Sequence, residues 1–335
     1  MKHMEYSRIG EDLTISKLVT GLWQLSGAHG YVPSTSSVVT AMKGYVDNGV
    51  TTFDLADHYG DAEIYVGEFR KHVGKGFSDN HFQFLTKWVP RPGPMSKRVV
   101  EDAVDRSLKR MQCDRLDLLQ FHWWDYSDKR YFDALGHLQE LVDQGKLRCL
   151  GLTNFDTEHL QTIVSQGIKV CSNQVQFSVL DQRPLVEMVD YCHQHGIGVL
   201  AYGTLCGGFL SEKYVGLPEP SRRALDTASL VKYYQMIRVW GGWGLFQELL
   251  FVLKEIGEKY GVGVSQVAMR FVLEQRAVAG ILVGARLGLS DHLSDNLNVF
   301  QCQLDEEDYQ KIQSVTNKAN DLYRVIGDCG DEYRG

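Results

Sequence analysis

Eight short apolar runs recur along the chain, and stretches whose apolar positions keep a helical period lie between them. The runs are KLVTGLW (17–23), VTTFDLA (50–56), FQFLTKW (82–88), LDLLQFH (116–122), LRCLGLTN (147–154), VCSNQVQF (170–177), GVLAYG (198–203) and AGILVGAR (279–286). In 96–111, Val100, Ala103, Val104, Ser107, Leu108 and Met111 share one face behind Ser96 as a candidate N-cap. In 130–143, Phe132, Leu135, Leu138, Leu141 and Val142 do the same before a stop at Gly145. In 184–195, Leu185, Met188, Val189 and Cys192 line up, and Gly196 closes the helix.

Nearly continuous apolar strands alternating with helices imply a parallel sheet buried on both faces. Eight such units is the number that closes a (β/α)8 TIM barrel. An open doubly wound sheet is the alternative, but no G-x-G-x-x-G follows the first strand. Residues 5–16 read as an N-terminal β-hairpin turning at Gly10–Glu11–Asp12, placed to plug the barrel bottom. Residues 204–242 form a long loop after strand seven with a helical stretch at 227–240. Long βα loops of barrels lie over the site, so a lid or cofactor-holding role is expected of it. The chain is expected to be one barrel domain over 1–335, with its core at about 6–317 and a tail at 318–335. The end of that tail, from Asn320 to Gly335 with aromatic Tyr323 and Tyr333, could fold over the barrel mouth, mediate oligomer contacts or fray, and partial disorder is the expectation.

At 335 residues and 44% apolar, the chain can bury a large core. Its net charge of −7 is spread without a Lys/Arg block, which argues against nucleic acid or an anionic membrane as partner. No apolar run approaches the length of a membrane span, and MKHMEYSRIG at the start carries no signal-type apolar region. A cytoplasmic protein acting on a small molecule, as a monomer or homo-oligomer, is the expectation. The seven cysteines are scattered and never in CxxC spacing, against a disulfide framework or a zinc site. Cys206, beside Gly207 and Gly208, is either a reactive thiol or, more simply, a buried one. His193 and His195, two apart on a helix, point to different faces and make no metal pair.

Polar residues mark the C-terminal ends of the runs: Asp54, Lys87, His122, Thr153 with Asn154, Gln174, Tyr202 and Arg286. In a barrel those ends share the face that carries active sites. Taken singly, each has an ordinary reading as a turn cap, a strand-end charge or a packed histidine. Taken together with Tyr59, five residues beyond Asp54, they make a proton-donating arrangement. A phenol with its pKa near 10 becomes a ready donor if an ammonium lowers it, and Lys87 is the candidate. Asp54 would keep Lys87 charged, and His122 would orient a substrate carbonyl. Trp23, Trp88, Trp123 and Trp124 would wall an aromatic pocket, with Trp124 equally suited to packing. A glycosidase-like pair of carboxylates is not favoured, because Lys87 and His122 hold the matching strand ends.

The chain resembles the aldo-keto reductase family in GLWQLSG (21–27), FDLADHYGDAE (53–63), LTKW (85–88), SLKRMQCDRLDLLQFHWWD (107–125), GKLRCLGLTNF (145–155), NQVQFSVLD (173–181), AYGTLCGGFL (201–210) and GARLGLSDHLSDN (284–296). That resemblance implies hydride transfer from NADPH, or less often NADH, to an aldehyde or ketone. Asp54, Tyr59, Lys87 and His122 then look like the catalytic tetrad, with Tyr59 as general acid. Thr153, Asn154 and Gln174 would hold the nicotinamide carboxamide and Tyr202 would stack on the ring. Gly21, Trp23 and Asp54 fall beside them, and Gly203, Leu205 and Gly207 belong to the diphosphate loop. Gly284, Arg286, His292, Asp295 and Asn296 match the adenosine end. Trp23, Tyr59, Trp88, His122 and Trp123 would meet the substrate. The chain departs from the pattern at Gly203–Thr204, where many relatives have Ser-Pro, and at Leu287 and His292, where 2′-phosphate contacts are common. Arg286 alone still favours NADPH. A sugar or polyol dehydrogenase and a nicotinamide-binding regulatory protein resembling channel β-subunits are the other functions that the resemblance allows.

Overall fold

The computed structural model describes residues 4–27, 33–73, 81–290 and 292–334. Met1–His3 of the start segment and Gly335 of the expected tail lie outside the described residues. Strands β1 (Tyr6–Ile9) and β2 (Leu13–Ser16) form the expected antiparallel hairpin, with Ile9 opposite Leu13. Eight further strands follow: β3 (Leu18–Gly21), β4 (Thr52–Asp54), β5 (Gln83–Trp88), β6 (Leu116–Phe121), β7 (Leu147–Thr153), β8 (Ser172–Gln176), β9 (Gly198–Tyr202) and β10 (Val278–Gly284). They pair in chain order into a closed parallel barrel, β10 meeting β3. Around it run α1 (Thr35–Asp47), α2 (Ala62–Val73), α3 (Lys97–Met111), α4 (Tyr131–Asp143), α5 (Thr157–Ser165), α6 (Met188–His195), α7 (Ala228–Trp240), α8 (Gly242–Tyr260) and α9 (Val264–Leu273). The short α10 (Leu293–Asn296), then α11 (Glu306–Thr316) and α12 (Leu322–Ile326), complete the chain.

Successive side chains of a strand point to opposite faces, so each barrel strand feeds two apolar layers. Phe84, Leu119, Phe121, Leu150, Leu152, Val175 and Val199 pack outward against the helices. Val19, Leu85, Leu118, Cys149, Leu200 and Leu282 pack inside, together with Ile9, Leu13 and Ile15 of the hairpin. The hairpin therefore closes the barrel bottom with three apolar side chains. Above Leu85 and Leu118 the inward rows turn polar, at Lys87 and at Gln120 and His122. That change from an apolar floor to a polar rim is what places chemistry at the strand C-termini.

The loop after β9 returns through α7, whose Thr227 side chain accepts a 3.2 Å hydrogen bond from the Leu230 N–H. Tyr233, Met236, Ile237 and Trp240 bury the inner face of this helix. All seven cysteines are free. Cys206 is buried, and burial pushes its thiol up to about 12, so it is a packing residue and not a nucleophile.

The tail corrects the expectation of partial disorder. Asp321 caps α12 through hydrogen bonds from the Tyr323 and Arg324 N–H groups. Beyond it Cys329 is buried, and Asp328 Oδ2 accepts a 2.6 Å bond from the Thr157 N–H at the start of α5. Arg183 Nη1 donates at 3.0 Å both to Glu332 Oε2 and to the Asp328 carbonyl. Arg334 donates to the Trp123 carbonyl at 2.8 Å and lies 3.9 Å over the Tyr126 ring. These partners are remote in sequence, so no local pattern in the polar tail announces them.

Candidate active site

Asp54 ends β4 and Lys87 lies one residue before the end of β5, both with inward side chains almost fully buried. Lys87 Nζ donates to Asp54 Oδ1 and, at 3.0 Å, to the Leu55 carbonyl. The other Asp54 oxygen accepts from Gln120 Nε2 at 2.9 Å and from Gln174 Nε2 at 2.7 Å. Burial pulls the Lys87 pKa down from its ordinary value, and Asp54 acts against that fall. A carboxylate with every oxygen satisfied is a rigid anchor for the ammonium.

Tyr59 sits on the loop after β4, its ring edge-on to Trp23 at 4.9 Å, with Lys87 Nζ 5.2 Å from its centroid. Its pKa stands well above that of a free phenol, because of burial first and then the charges of Asp54, Tyr333 and Asp57. The expected lowering by Lys87 is not present. The ammonium is committed to Asp54 and Leu55, and the carboxylate cancels much of its field. Tyr59 therefore keeps its proton across the neutral range.

A cavity of about 820 Å³ opens above these groups. It reaches from Trp23, His58, Val89 and Trp124 past Tyr59 and His122 to Arg286, Ser290 and His292. Gly21, Thr153, Asn154, Gln174, Tyr202, Gly203, Leu205, Gly207 and Gly284 line it as expected. Asp295 and Asn296 do not; the Asp295 carbonyl accepts from Gln266 instead, and Asn296 is buried in α10. Asn154 holds a left-handed backbone (φ 57°), which asparagine tolerates better than most residues. Its Oδ1 accepts from the Tyr202 hydroxyl at 2.9 Å. Gln174 spends its amide nitrogen on Asp54 and Gln120, which leaves its amide oxygen for a ligand. Gly203 is held at φ 74°, and a Cβ there would lie 2.3 Å from the Tyr233 hydroxyl, so only glycine lets the loop turn this close.

Two tryptophans are reassigned. Trp88 packs on Phe121 at 5.5 Å, and Trp123 is buried with its Nε1 donating to the Asp125 and Asp128 carbonyls. Strand alternation explains both. Lys87 and His122 point inward, so their neighbours point to the helices, and Val89 and Trp124 come back to the cavity. Trp124 stands edge-on to His122 at 4.3 Å.

The model of the aldo/keto reductase family matches residues 17–317. The chain belongs to the aldo/keto reductase family. It is 26% identical to flagellar radial spoke protein 5 of Chlamydomonas reinhardtii, over 72% of this chain and 57% of that protein. It is also 26% identical to the chloroplastic pyridoxal reductase of Arabidopsis thaliana, over 92% of this chain and 85% of that one. Among solved structures, an aldo-keto reductase from Klebsiella pneumoniae in complex with NADPH aligns at a TM-score of 0.70 and 21% identity, covering 94% and 95% of the two chains.

In this aldo/keto reductase, Gln120, His58 and Lys232 join the site without having been singled out from the sequence, and Tyr333 reaches it from the tail. Gln120 had a signal, a polar residue at the inward position two before His122 in an otherwise apolar run. Tyr333 had only its place in an aromatic-bearing tail that could fold over the mouth, and no strand or helix period to set it there.

His122 Nδ1 faces the Thr153 carbonyl at 3.1 Å and must donate there, while the buried Nε2 has no partner among the described residues. Burial depresses its pKa to about 4, against the opposing Thr153 bond. The unfolded chain binds this proton near 6.5, so stability from the neutral ring is present above 6.5 and is lost as pH falls towards 4. The full loss is about 3 kcal/mol. Urea unfolding of wild type and His122→Gln at pH 6.5 and 4 checks this. The variant should lose less stability over that interval, and equal losses would refute the depressed pKa.

Proposed function

We propose that the protein reduces an aldehyde or ketone to an alcohol with NADPH, Tyr59 serving as general acid. The observation that carries the reading is a protonated phenol on a cavity wall, its ring centre 5.2 Å from a buried, carboxylate-anchored ammonium. Bound in this cavity, NADPH supplies the hydride. The residues present suit it. Tyr202 offers a ring, Gln174 an unspent amide oxygen, and the loop at Gly203, Gly207 and Gly208 a surface with few side chains. Arg286 lines the far end, exposed and without an ion pair among the described residues, ready for a 2′-phosphate. The Klebsiella relative's complex with NADPH supports the same cofactor.

As hydride reaches the carbonyl carbon, the oxygen becomes an alkoxide far more basic than a phenolate and takes the Tyr59 proton. Lys87 stands beside the phenolate that then forms, its charge partly cancelled by Asp54. Trp23, Trp124 and Val89 give the substrate end apolar walls suited to a flat carbonyl compound such as an aromatic aldehyde, quinone or pyridoxal-like ring.

A second reading is alcohol oxidation on a sugar or polyol with NAD(P)⁺. The unpartnered His122 Nε2 favours it, because the neutral ring presents a lone pair there that accepts from a hydroxyl. Nicotinamide absorbance separates the readings. Aldehydes should be reduced with kcat/KM for NADPH at least about tenfold above NADH, and Arg286→Ala should narrow that gap. Faster turnover of polyols with NAD⁺ would favour the second reading, and tight NADPH binding without turnover of any carbonyl would overturn the first.

A further inference from the structure

Lys232 lies on α7, half-buried on the cavity wall. Its ammonium stands 5.2 Å over the Tyr202 ring, 5.4 Å over Tyr233 and 4.7 Å over Tyr333, and donates to the Tyr333 hydroxyl at 2.5 Å. No carboxylate among the described residues forms an ion pair with it. Burial pushes the Glu332 carboxyl up, and Arg183, with Lys232 after it, holds it below the ordinary value. Glu332 itself is engaged by Arg183 at 3.0 Å. Aromatic faces compensate only part of an ammonium's lost hydration, so a lysine caged in tyrosines and lacking a paired anion suits an incoming one. The same cavity is lined by Gly203, Gly207, Gly208 and Ser229, whose small size lets an anion approach the backbone.

The tyrosines make Lys232 part of a relay between the walls. Tyr333 OH lies 3.1 Å from Tyr202 OH, which in turn donates to Asn154. Tyr333 is delivered by the tail, which Arg183 and Arg334 fasten to the barrel. The C-terminal segment thus bridges the ring-stacking floor and the α7 wall.

We propose that Lys232 is the cation that meets the diphosphate of the dinucleotide, and that Tyr333 is a positioning residue that holds its ammonium over the cavity. The assignment rests on the dinucleotide reading above but concerns a residue outside the loop at Gly203–Leu210. Equilibrium binding, read from quenching of tryptophan fluorescence, tests it without turnover. Lys232→Met should weaken NADPH and ADP-ribose alike by about tenfold, the loss of one charge-assisted contact. Lys232→Arg should restore most of the affinity, and Tyr333→Phe should weaken both ligands by about twofold to fivefold. Thermal unfolding of each variant without ligand should match wild type. Unchanged affinity in Lys232→Met, or a raised KM for carboxylate-bearing carbonyls with dinucleotide affinity intact, would overturn the proposal. If wild type binds neither NADPH nor ADP-ribose, the dinucleotide reading itself fails, which is a separate result.

Discussion

Tyr59→Phe should lower kcat for aldehyde reduction by about 10²–10⁴-fold while leaving NADPH affinity within about twofold. The phenol ring keeps its edge contact with Trp23 and its place beside Lys87, so the substitution removes one oxygen and little packing. What is lost, on the proposed reading, is the proton that the alkoxide would take. The raised pKa of Tyr59 sharpens this expectation, since the group carries its proton through the neutral range. His122 is a poor replacement. Its pKa of about 4 leaves the ring neutral, and its one ring proton is given to Thr153. Steady-state absorbance with a saturating aldehyde, alongside a fluorescence titration of NADPH, gives both numbers. A kcat within about threefold of wild type would remove Tyr59 from the general-acid role.

Arg183→Met should cost about 3–5 kcal/mol of stability, because it strands buried carboxylates without their partner. Only 1% of the Arg183 side chain is exposed, which removes solvent as a substitute. Its Nε and Nη2 each donate to Asp181 at 2.8 Å, and Nη1 serves Glu332 and the Asp328 carbonyl. Burial alone would depress its pKa, but the two carboxylates hold it above the ordinary value. Glu332→Gln removes a single carboxylate and should cost less. The two variants therefore rank the contributions of the tail and of the Asp181 pair. Urea denaturation gives the stabilities, and limited proteolysis should cut the 327–334 segment faster in Arg183→Met. Wild-type stability together with a protease-resistant tail would show that this cluster does not fasten the C-terminus. Because the tail carries Tyr333 to the cavity, loss of the clamp should also weaken cofactor binding.

Much of the site was legible because a parallel barrel translates strand order into place. A polar residue at the end of each apolar run could be assigned to one face before any coordinates, and Asp54, Lys87, His122, Thr153, Gln174 and Tyr202 do line one cavity. The same period-of-two logic, carried one step further from Lys87 and His122, turns Trp88 and Trp123 outward and Trp124 inward. The phenol's pKa needed more than residue types. Whether Lys87 lowers it depends on how completely Asp54 neutralises that charge, which is a matter of distances and burial.

The sequence by itself determined the closed eight-stranded barrel, the hairpin beneath it and the identities of the groups at the strand ends, because these follow from apolar period and from covalent order. Tertiary structure alone decided the rest. The order of the tail rests on Arg183, Thr157 and Trp123, each well over a hundred residues away from its partner. The tyrosine cage around Lys232 joins β9, α7 and the C-terminus. Polar contacts of this kind have no periodicity to read. They exist because a folded barrel brings distant side chains into one low-dielectric space, where a buried charge left without a partner is costly.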